Sequence, residues 1–436
     1  MKSPLVRRFV AAISLSLGIV VAPLSLHPAL ADMPRGDAAE HGLSKERLKR
    51  VDEVINTHIA LGHMSGATAL VARDGEVVHF GTYGKQNLET GADTQEDTIY
   101  RIYSMTKPIT GVAMMMLYEE GKFKLTDPVE MYIPEFKDLQ VFAGVNEDGS
   151  LKTEPQKQKM TILDLMRHTA GMTYGIFSDT PVDQALRAQM EAGAATVTNQ
   201  SMLQSMAEVP LLFQPGTRWH YSLSVDVQGA LVERLSGMTL GQFFETRIFE
   251  PLGMKDTGFW VPNKDMDRFA ELYTFSQEGK LVPVPAGGSL SLKQTEDDKP
   301  TWESGGGGLV STTEDYWRFA QMLLDGGEFE GKRLLSETSI DMMRVDHTAR
   351  YGINMGGLDT QGYGFGLNFG VILDPLKTGT YASVGEYNWG GAAKTLFWID
   401  PAEDLVVIMM TQLLVPSELI DFRSGMRRAV YQAIVE

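Results

Sequence analysis

Ile99-Tyr-Arg-Ile-Tyr-Ser-Met-Thr-Lys-Pro108 sets a serine and a lysine three residues apart, immediately ahead of an apolar run over residues 109–117. Positions i and i+3 share a helix face, so the Ser104 hydroxyl and the Lys107 ammonium can converge on one point. A serine hydroxyl is a poor nucleophile at neutral pH and needs a neighbour to take its proton. A buried lysine that has lost its proton can be that base; one that keeps it can orient the hydroxyl or favour deprotonation of another group. Serine with lysine is a recognised alternative to Ser-His-Asp in acyl transfer. Alone, however, Ser-x-x-Lys describes no more than a capped helix start with a solvated lysine.

A second segment gives the pair its context. Pro215-Gly-Thr-Arg-Trp-His-Tyr-Ser-Leu-Ser224 runs into a helical pattern over residues 225–235, with a Pro-Gly turn at one end and Tyr221-Ser222 just before the helix start. With these residues the chain resembles the serine beta-lactamase and penicillin-binding protein superfamily. It is most similar to the class C branch and to the beta-lactamase-like carboxylesterases (family VIII esterases) related to that branch. Further stretches in the same register include Gly66 to Gly75, Asp97-Thr98, Gly121-Lys122, Asp127-Pro128, His168-Thr-Ala-Gly171, Pro251-Leu-Gly-Met254, Gly306-Gly-Gly-Leu309, Ser311-Thr312 and Trp389-Gly-Gly391.

The resemblance implies that Ser104 is the acylated nucleophile, Lys107 its partner and Tyr221 the group that shuttles protons to water and leaving group. It also implies an oxyanion hole from the backbone N–H groups of Ser104 and Ala392. Two departures bear on substrate. Class C lactamases carry an asparagine two residues after that tyrosine, where this chain has Leu223; their Lys-Thr-Gly strand motif is here Trp389-Gly390-Gly391. An amide for a lactam side chain and a cation for a substrate carboxylate are thereby replaced by apolar surface, with Lys394 three residues on as a possible partial substitute. Trp389, Gly390, Gly391, Tyr174, Trp219 and Leu223 are the expected substrate-binding residues, and Phe177 and Phe259 are further candidate walls.

The expected reaction is hydrolysis of short-chain acyl esters by a carboxylesterase, with weak beta-lactam hydrolysis compatible with the same acyl-enzyme. The alternative is a beta-lactamase or a D-alanyl-D-alanine carboxypeptidase or amidase of the penicillin-binding protein type. A third class, an inert binding protein on the same scaffold, is opposed by the retention of Ser104, Lys107 and Tyr221 together.

Outward from these motifs, periodicity predicts a helix over residues 43–59 with Ser44 as cap, and a hairpin of runs 67–72 and 77–80 around Asp74-Gly75. Helical pieces follow to about residue 300, and Pro134, Pro155, Pro181, Pro215 and Pro251 break them. Strand signals return at 363–371, 381–384, 394–399 and 405–411, before a last helix over 418–436. The pattern predicts an α/β protein. Residues 32–98 and 305–436 form a discontinuous domain with an antiparallel sheet flanked by helices, and 99–304 a mostly helical domain, with the active site between them.

Residues 1–31 carry Lys2, Arg7 and Arg8, an apolar stretch and Ala29-Leu30-Ala31, the order of a secretory signal peptide; a periplasmic or secreted protein is expected, with no stable membrane span after cleavage. Removing those three cations leaves 36 basic against 56 acidic side chains, a net of about −20 that repels phosphate backbones and argues against nucleic acid as a partner. The chain has no cysteine, which excludes thiol catalysis and cysteine-bound zinc. Its eight histidines show no ligand spacing, so neither a metal nor a cofactor is expected, and the partner is a small ester or lactam. His168 and His220 are read as structural or pocket-supporting. The Gly305–Gly308 run is no phosphate loop, because no Gly-Lys-Ser/Thr follows; it reads as a turn.

Overall fold

Strands from both ends of the chain meet in one seven-stranded antiparallel sheet. The structure, a computed structural model, describes residues 33–436 except 193–196, 286–289, 291, 293, 350–360 and 417–419. The expected signal peptide over 1–31 lies outside the described residues, as does the first part of the expected last helix, 418–419. The sheet strands are β1 (Gly66–Arg73), β2 (Glu76–Gly84), β3 (Tyr363–Phe365), β4 (Gly370–Ile372), β5 (Tyr387–Gly390), β6 (Leu396–Asp400) and β7 (Leu405–Thr411), in the order β3-β4-β5-β6-β7-β1-β2. The helices that position the site are α1 (Lys45–Leu48), α2 (Arg50–Ala60), α3 (Thr106–Glu119), α4 (Ile162–Met166), α5 (Ser224–Ser236), α6 (Thr313–Leu324) and α7 (Phe422–Tyr431).

The hairpin β1–β2 turns at Asp74 and Gly75, whose φ values of 54° and 77° are those a two-residue turn needs to match strand twist. Ser44 caps α1 by accepting from the Arg47 N–H, as its place before the apolar pattern predicts. The central strand β7 is buried along its whole length because both sheet faces are covered. Val406, Ile408 and Met410 face the core shared with α3, α5 and α6; Leu405, Val407 and Met409 face the core shared with α2 and α7. Side chains that alternate between two cores produce the near-continuous apolar run in the sequence.

Four expectations are corrected. Residues 363–371 form two strands, β3 and β4, because the chain reverses between them with Asn368 in the left-handed region at φ 68°. Residues 381–384 are a loop in which Tyr381 and Val384 are exposed, and the strand begins at Tyr387, after Gly385 at φ 90°. The helical insert contains a hairpin, Gln140–Val145 with Leu151–Pro155, that its polar composition conceals. Pro181 opens the helix Pro181–Ala192 instead of ending one, since the first helical position needs no N–H.

A buried ion pair ties α7 to the loop that enters β5. Arg427 donates through both terminal nitrogens to Glu386, at 2.5 and 2.6 Å, with both side chains at most 1% exposed. Tyr431 adds a bond of 2.9 Å to Glu386 and one of 2.6 Å to Asp400. Removing one member strands a charge in the core, which costs about 3–5 kcal/mol, whereas replacing both by apolar groups is close to neutral. Arg427→Ala is therefore expected to lower Tm sharply, and Glu386→Leu with Arg427→Met to recover most of that loss, as read by thermal melting. A double variant as unstable as the single one would contradict this account.

Candidate active site

Ser104 lies in a 3₁₀ turn, Tyr103–Met105, directly ahead of α3. That turn is fixed on its N-terminal side by a short ladder in which Tyr100 pairs with Ser311 and Arg101 with Val310, extended by the Ile102 N–H donating to Leu309 O. Tyr103 holds φ at 44°, a region L-residues avoid, so the turn presenting Ser104 carries backbone strain. The second residue of α3, Lys107, is fully buried. Its Nζ donates to Ser104 Oγ at 3.2 Å, to Tyr174 OH at 3.3 Å and to Gly306 O at 2.5 Å. The Tyr221 hydroxyl donates to Ser104 Oγ at 2.7 Å. A lysine three residues on and a tyrosine 117 residues on therefore meet at the Ser104 oxygen, and the lysine's three protons all have acceptors.

Aromatic rings hold the phenol in place. Tyr221 stacks between Tyr174, at a ring separation of 5.4 Å, and Trp219, at 6.2 Å, and meets Trp389 at 5.6 Å and His168 at 4.9 Å. The Lys107 Nζ lies 4.7 Å from the centre of the Tyr221 ring, inside cation–π range. Burial pushes the Tyr174 phenol well above its usual range, with the charge of Asp226 adding to the effect, so it stays protonated. Burial, then the charge of Lys107, pushes His168 well down; it stays neutral, with Nδ1 3.3 Å from Ser222 Oγ. His168 sits at φ 56° in the turn after α4, which fits the expected structural part, and its backbone carbonyl accepts from the His220 N–H.

The strand β5 forms the opposite wall. It lies inside the sheet, yet its pairing with β4 reaches only Tyr387 and Asn388, so among the described residues Trp389 to Gly391 have no strand partner on that side. Trp389 packs on Phe365 and Tyr221, an apolar surface where the lactamase-type motif has a cation. Lys394 does not replace that cation: its ammonium is engaged by the carbonyls of Pro416, at 3.1 Å, and Ile420, at 3.5 Å. Gly391 answers first to the protein's own backbone, since a Cβ there would stand 2.4 Å from Ile102 O and 2.2 Å from Thr395 Oγ1. Its bareness lets the turn carrying Ala392 settle against the residue two before Ser104. Among the described residues, neither the Ser104 nor the Ala392 backbone N–H donates to another protein group, which leaves both available to an oxyanion.

Of the expected substrate-binding residues, the structure brings Tyr174, Trp219 and Trp389 around Tyr221, and Gly390 and Gly391 onto the stretch beyond Asn388, past the pairing with β4. Leu223 differs: it caps α5, is 4% exposed within the core, and serves packing more than an open wall. Phe259 is likewise a core residue, stacked on Phe244. Phe177 is 60% exposed and touches both Tyr174 and Tyr221, at 5.1 and 5.8 Å, so it stands at the mouth.

Two contributors escaped the sequence reading. Gly306 supplies the carbonyl that receives Lys107, where its tetraglycine run suggests only a turn. Asp226, fully buried in the first turn of α5, faces the same loop: Oδ1 accepts from Ser304 Oγ at 2.5 Å and from the Gly306 N–H at 3.2 Å. A lone carboxylate amid the apolar start of a predicted helix was the signal available. Among the described residues no group of three or more His, Asp or Glu side chains is placed to hold a metal ion, and no helix is long and apolar enough to cross a membrane.

A family profile described as "Beta-lactamase" matches residues 51–427. "Protein Rv1367c" of Mycobacterium tuberculosis is 34% identical over 359 residues, covering 80% of this chain and 86% of that protein. "Esterase EstB" of Burkholderia gladioli is 31% identical over 395 residues, covering 88% and 94%. The solved structure described as "EstCE1, a hydrolase with promiscuous acyltransferase activity" aligns with a TM-score of 0.73 at 26% identity, over 88% of this chain and 99% of that one.

The close approach at Gly391 generates a test. Gly391→Val is expected to push the Ala392 turn away from Ser104, and a shift of about 1 Å at such a site costs on the order of 100-fold in rate. Measuring kcat alongside circular dichroism checks it; a folded variant with unchanged kcat would contradict the placement.

Proposed function

The chain belongs to the beta-lactamase family and is a serine hydrolase of that fold, and from that premise we propose that it is a carboxylesterase that cleaves short-chain acyl esters through an acyl-enzyme on Ser104. The observation that carries the proposal is the meeting of the Tyr221 hydroxyl and the Lys107 ammonium on Ser104 Oγ, beside the indole of Trp389.

In this reading Ser104 Oγ attacks the ester carbonyl while its proton passes to whichever of Tyr221 and Lys107 has given up its own proton to solvent. Through the phenolate of Tyr221 the route is shortest, since Oγ–H then donates across the 2.7 Å contact to the tyrosine oxygen. The carbonyl oxygen becomes an oxyanion held by the Ser104 and Ala392 N–H groups. Collapse breaks the C–O bond to the alcohol, which leaves with a proton delivered through Tyr221. Water then attacks the acyl-enzyme, gives up a proton along the same route, and frees the acid and Ser104. Lys107 stays hydrogen-bonded to Gly306 throughout and keeps the hydroxyl aimed.

Substrates with a carboxylate next to the scissile bond meet an indole at position 389, with the nearest strand-side cation, Arg423, against Gly390 and bonded to Asn388 Oδ1, which favours neutral esters over penicillin-like lactams and D-alanyl peptides. "Esterase EstB" and EstCE1 are named for ester or hydrolase activity, and their likeness to this chain supports the same choice. The reading includes export to the periplasm or beyond, supported by residues 1–31 alone.

A comparative panel tests the choice. p-Nitrophenyl acetate and butyrate should turn over with kcat/KM at least about 100-fold above nitrocefin and a D-alanyl-D-alanine peptide, a difference of roughly 2.7 kcal/mol in transition-state stabilisation. Faster lactam or peptide turnover would overturn the ester preference. Ser104→Ala should abolish both turnover and labelling by a serine-directed phosphonate.

A further inference from the structure

Asp226 does more than its hydrogen bonds require. Two other buried carboxylates, Asp183 and Asp164, are bonded through both oxygens. Asp183 accepts from Thr173, Ser178 and Thr180, and Asp164 from Thr161, Arg167 and Thr169. Asp226 uses only Oδ1, for Ser304 and Gly306, while Oδ2 has no hydrogen-bond partner among the described residues. An unpaired buried carboxylate oxygen is costly. Burial raises the Asp226 carboxyl above its ordinary range, and three features oppose that: the nearby Lys107 ammonium, the Ser304–Gly306 loop, and the first turn of α5, where the helix dipole favours negative charge.

One residue joins the two charges. The Gly306 N–H is held by Asp226 and its carbonyl receives Lys107 Nζ, so the carboxylate and the ammonium grip opposite ends of the same short loop. Only glycine fits there, because a Cβ at 306 would stand 2.3 Å from Asp226 Oδ2. Thr110 on α3 fastens the preceding carbonyl, Gly305 O, at 2.7 Å.

We propose that Asp226 is a positioning residue for Lys107: it aims the Gly306 carbonyl at the ammonium and, by its charge, sets the pH range in which Ser104 reacts. This rests on the reading of Ser104 as nucleophile and Lys107 as its partner. The groups facing this centre are Lys107 from α3, His168 at the end of α4, Tyr174 from the segment after it, and Tyr221 with His220 ahead of α5. His168 is held neutral and Tyr174 protonated, and burial lowers His220.

Asp226→Asn keeps the shape and the Oδ1 acceptor but removes the charge. Loss of a negative charge beside a reacting centre moves the pH dependence of its reaction down, by about one unit for a close neighbour. The rate of Ser104 labelling by a neutral p-nitrophenyl phosphonate, followed by intact mass from about pH 6.5 to about pH 10, should therefore show its titrating limb moved down by about one unit. KM for p-nitrophenyl butyrate should change less than about 2-fold while kcat falls, since the effect lies in the reacting group and not in substrate contact. Asp226→Ala, which also frees the loop, should lose more kcat than Asp226→Asn.

A merely structural Asp226 predicts a labelling profile that superimposes on the wild type, with any loss uniform across pH, and that result would overturn the proposal. Should Asp226→Ala fail to fold, the isosteric Asp226→Asn decides alone. A wild-type protein that reacts with the phosphonate at a residue other than Ser104 would instead remove the reading on which the proposal rests.

Discussion

A lysine ammonium with no exposure to water has to be satisfied from inside the protein, and the site is organised around that requirement. Lys107 spends its three protons on Ser104, Tyr174 and Gly306, and the face of Tyr221 lies over it. Each partner comes from a different part of the chain: the turn before α3, the segment after α4, the tetraglycine loop, and the approach to α5. Satisfying one buried charge therefore brings together the elements that chemistry needs together. A single displaced partner would leave the ammonium underbonded, and this gives the site a rigidity that a surface Ser-Lys pair would lack.

Close backbone approach is the second constraint. At Gly306 the missing side chain lets a carboxylate and an ammonium hold one loop from two sides; at Gly391 it lets the β5–β6 turn rest on Ile102. The sheet supplies the fixed reference for both. With cores on each face, β5 is held by α7 behind, through Arg427 and Glu386, and by Phe365 and Tyr221 in front. Trp389 is thus a rigid wall, and an apolar one.

Much of this was legible in the chain. The three-residue spacing of Ser104 and Lys107, the Pro-Gly turn before Tyr221 and the Asp74-Gly75 hairpin are local patterns whose geometry follows from helix and turn periodicity, and each lies where it was expected. What stayed hidden depends on partners far away in sequence. Gly306 looks like any turn glycine until the buried ammonium is placed beside it, and Asp226 looks like a first-turn acid until its second oxygen is found unpaired. Residues 381–384 carry strand-like composition without a neighbouring strand to pair with, and Leu223 stands in a motif position while its helix turns it into the core. Apolar runs disclose burial but not which of two cores receives them.

The central claim, that Lys107 and Tyr221 make Ser104 a nucleophile that carries the acyl group, is tested most directly by trapping the intermediate. The protein would be mixed with p-nitrophenyl butyrate, quenched in acid during turnover, digested and read by mass spectrometry. The account predicts a butyryl increment on the peptide containing Ser104, formed in a burst of about one nitrophenolate per chain when deacylation is the slower step. Sustained turnover with the increment on another residue would contradict it.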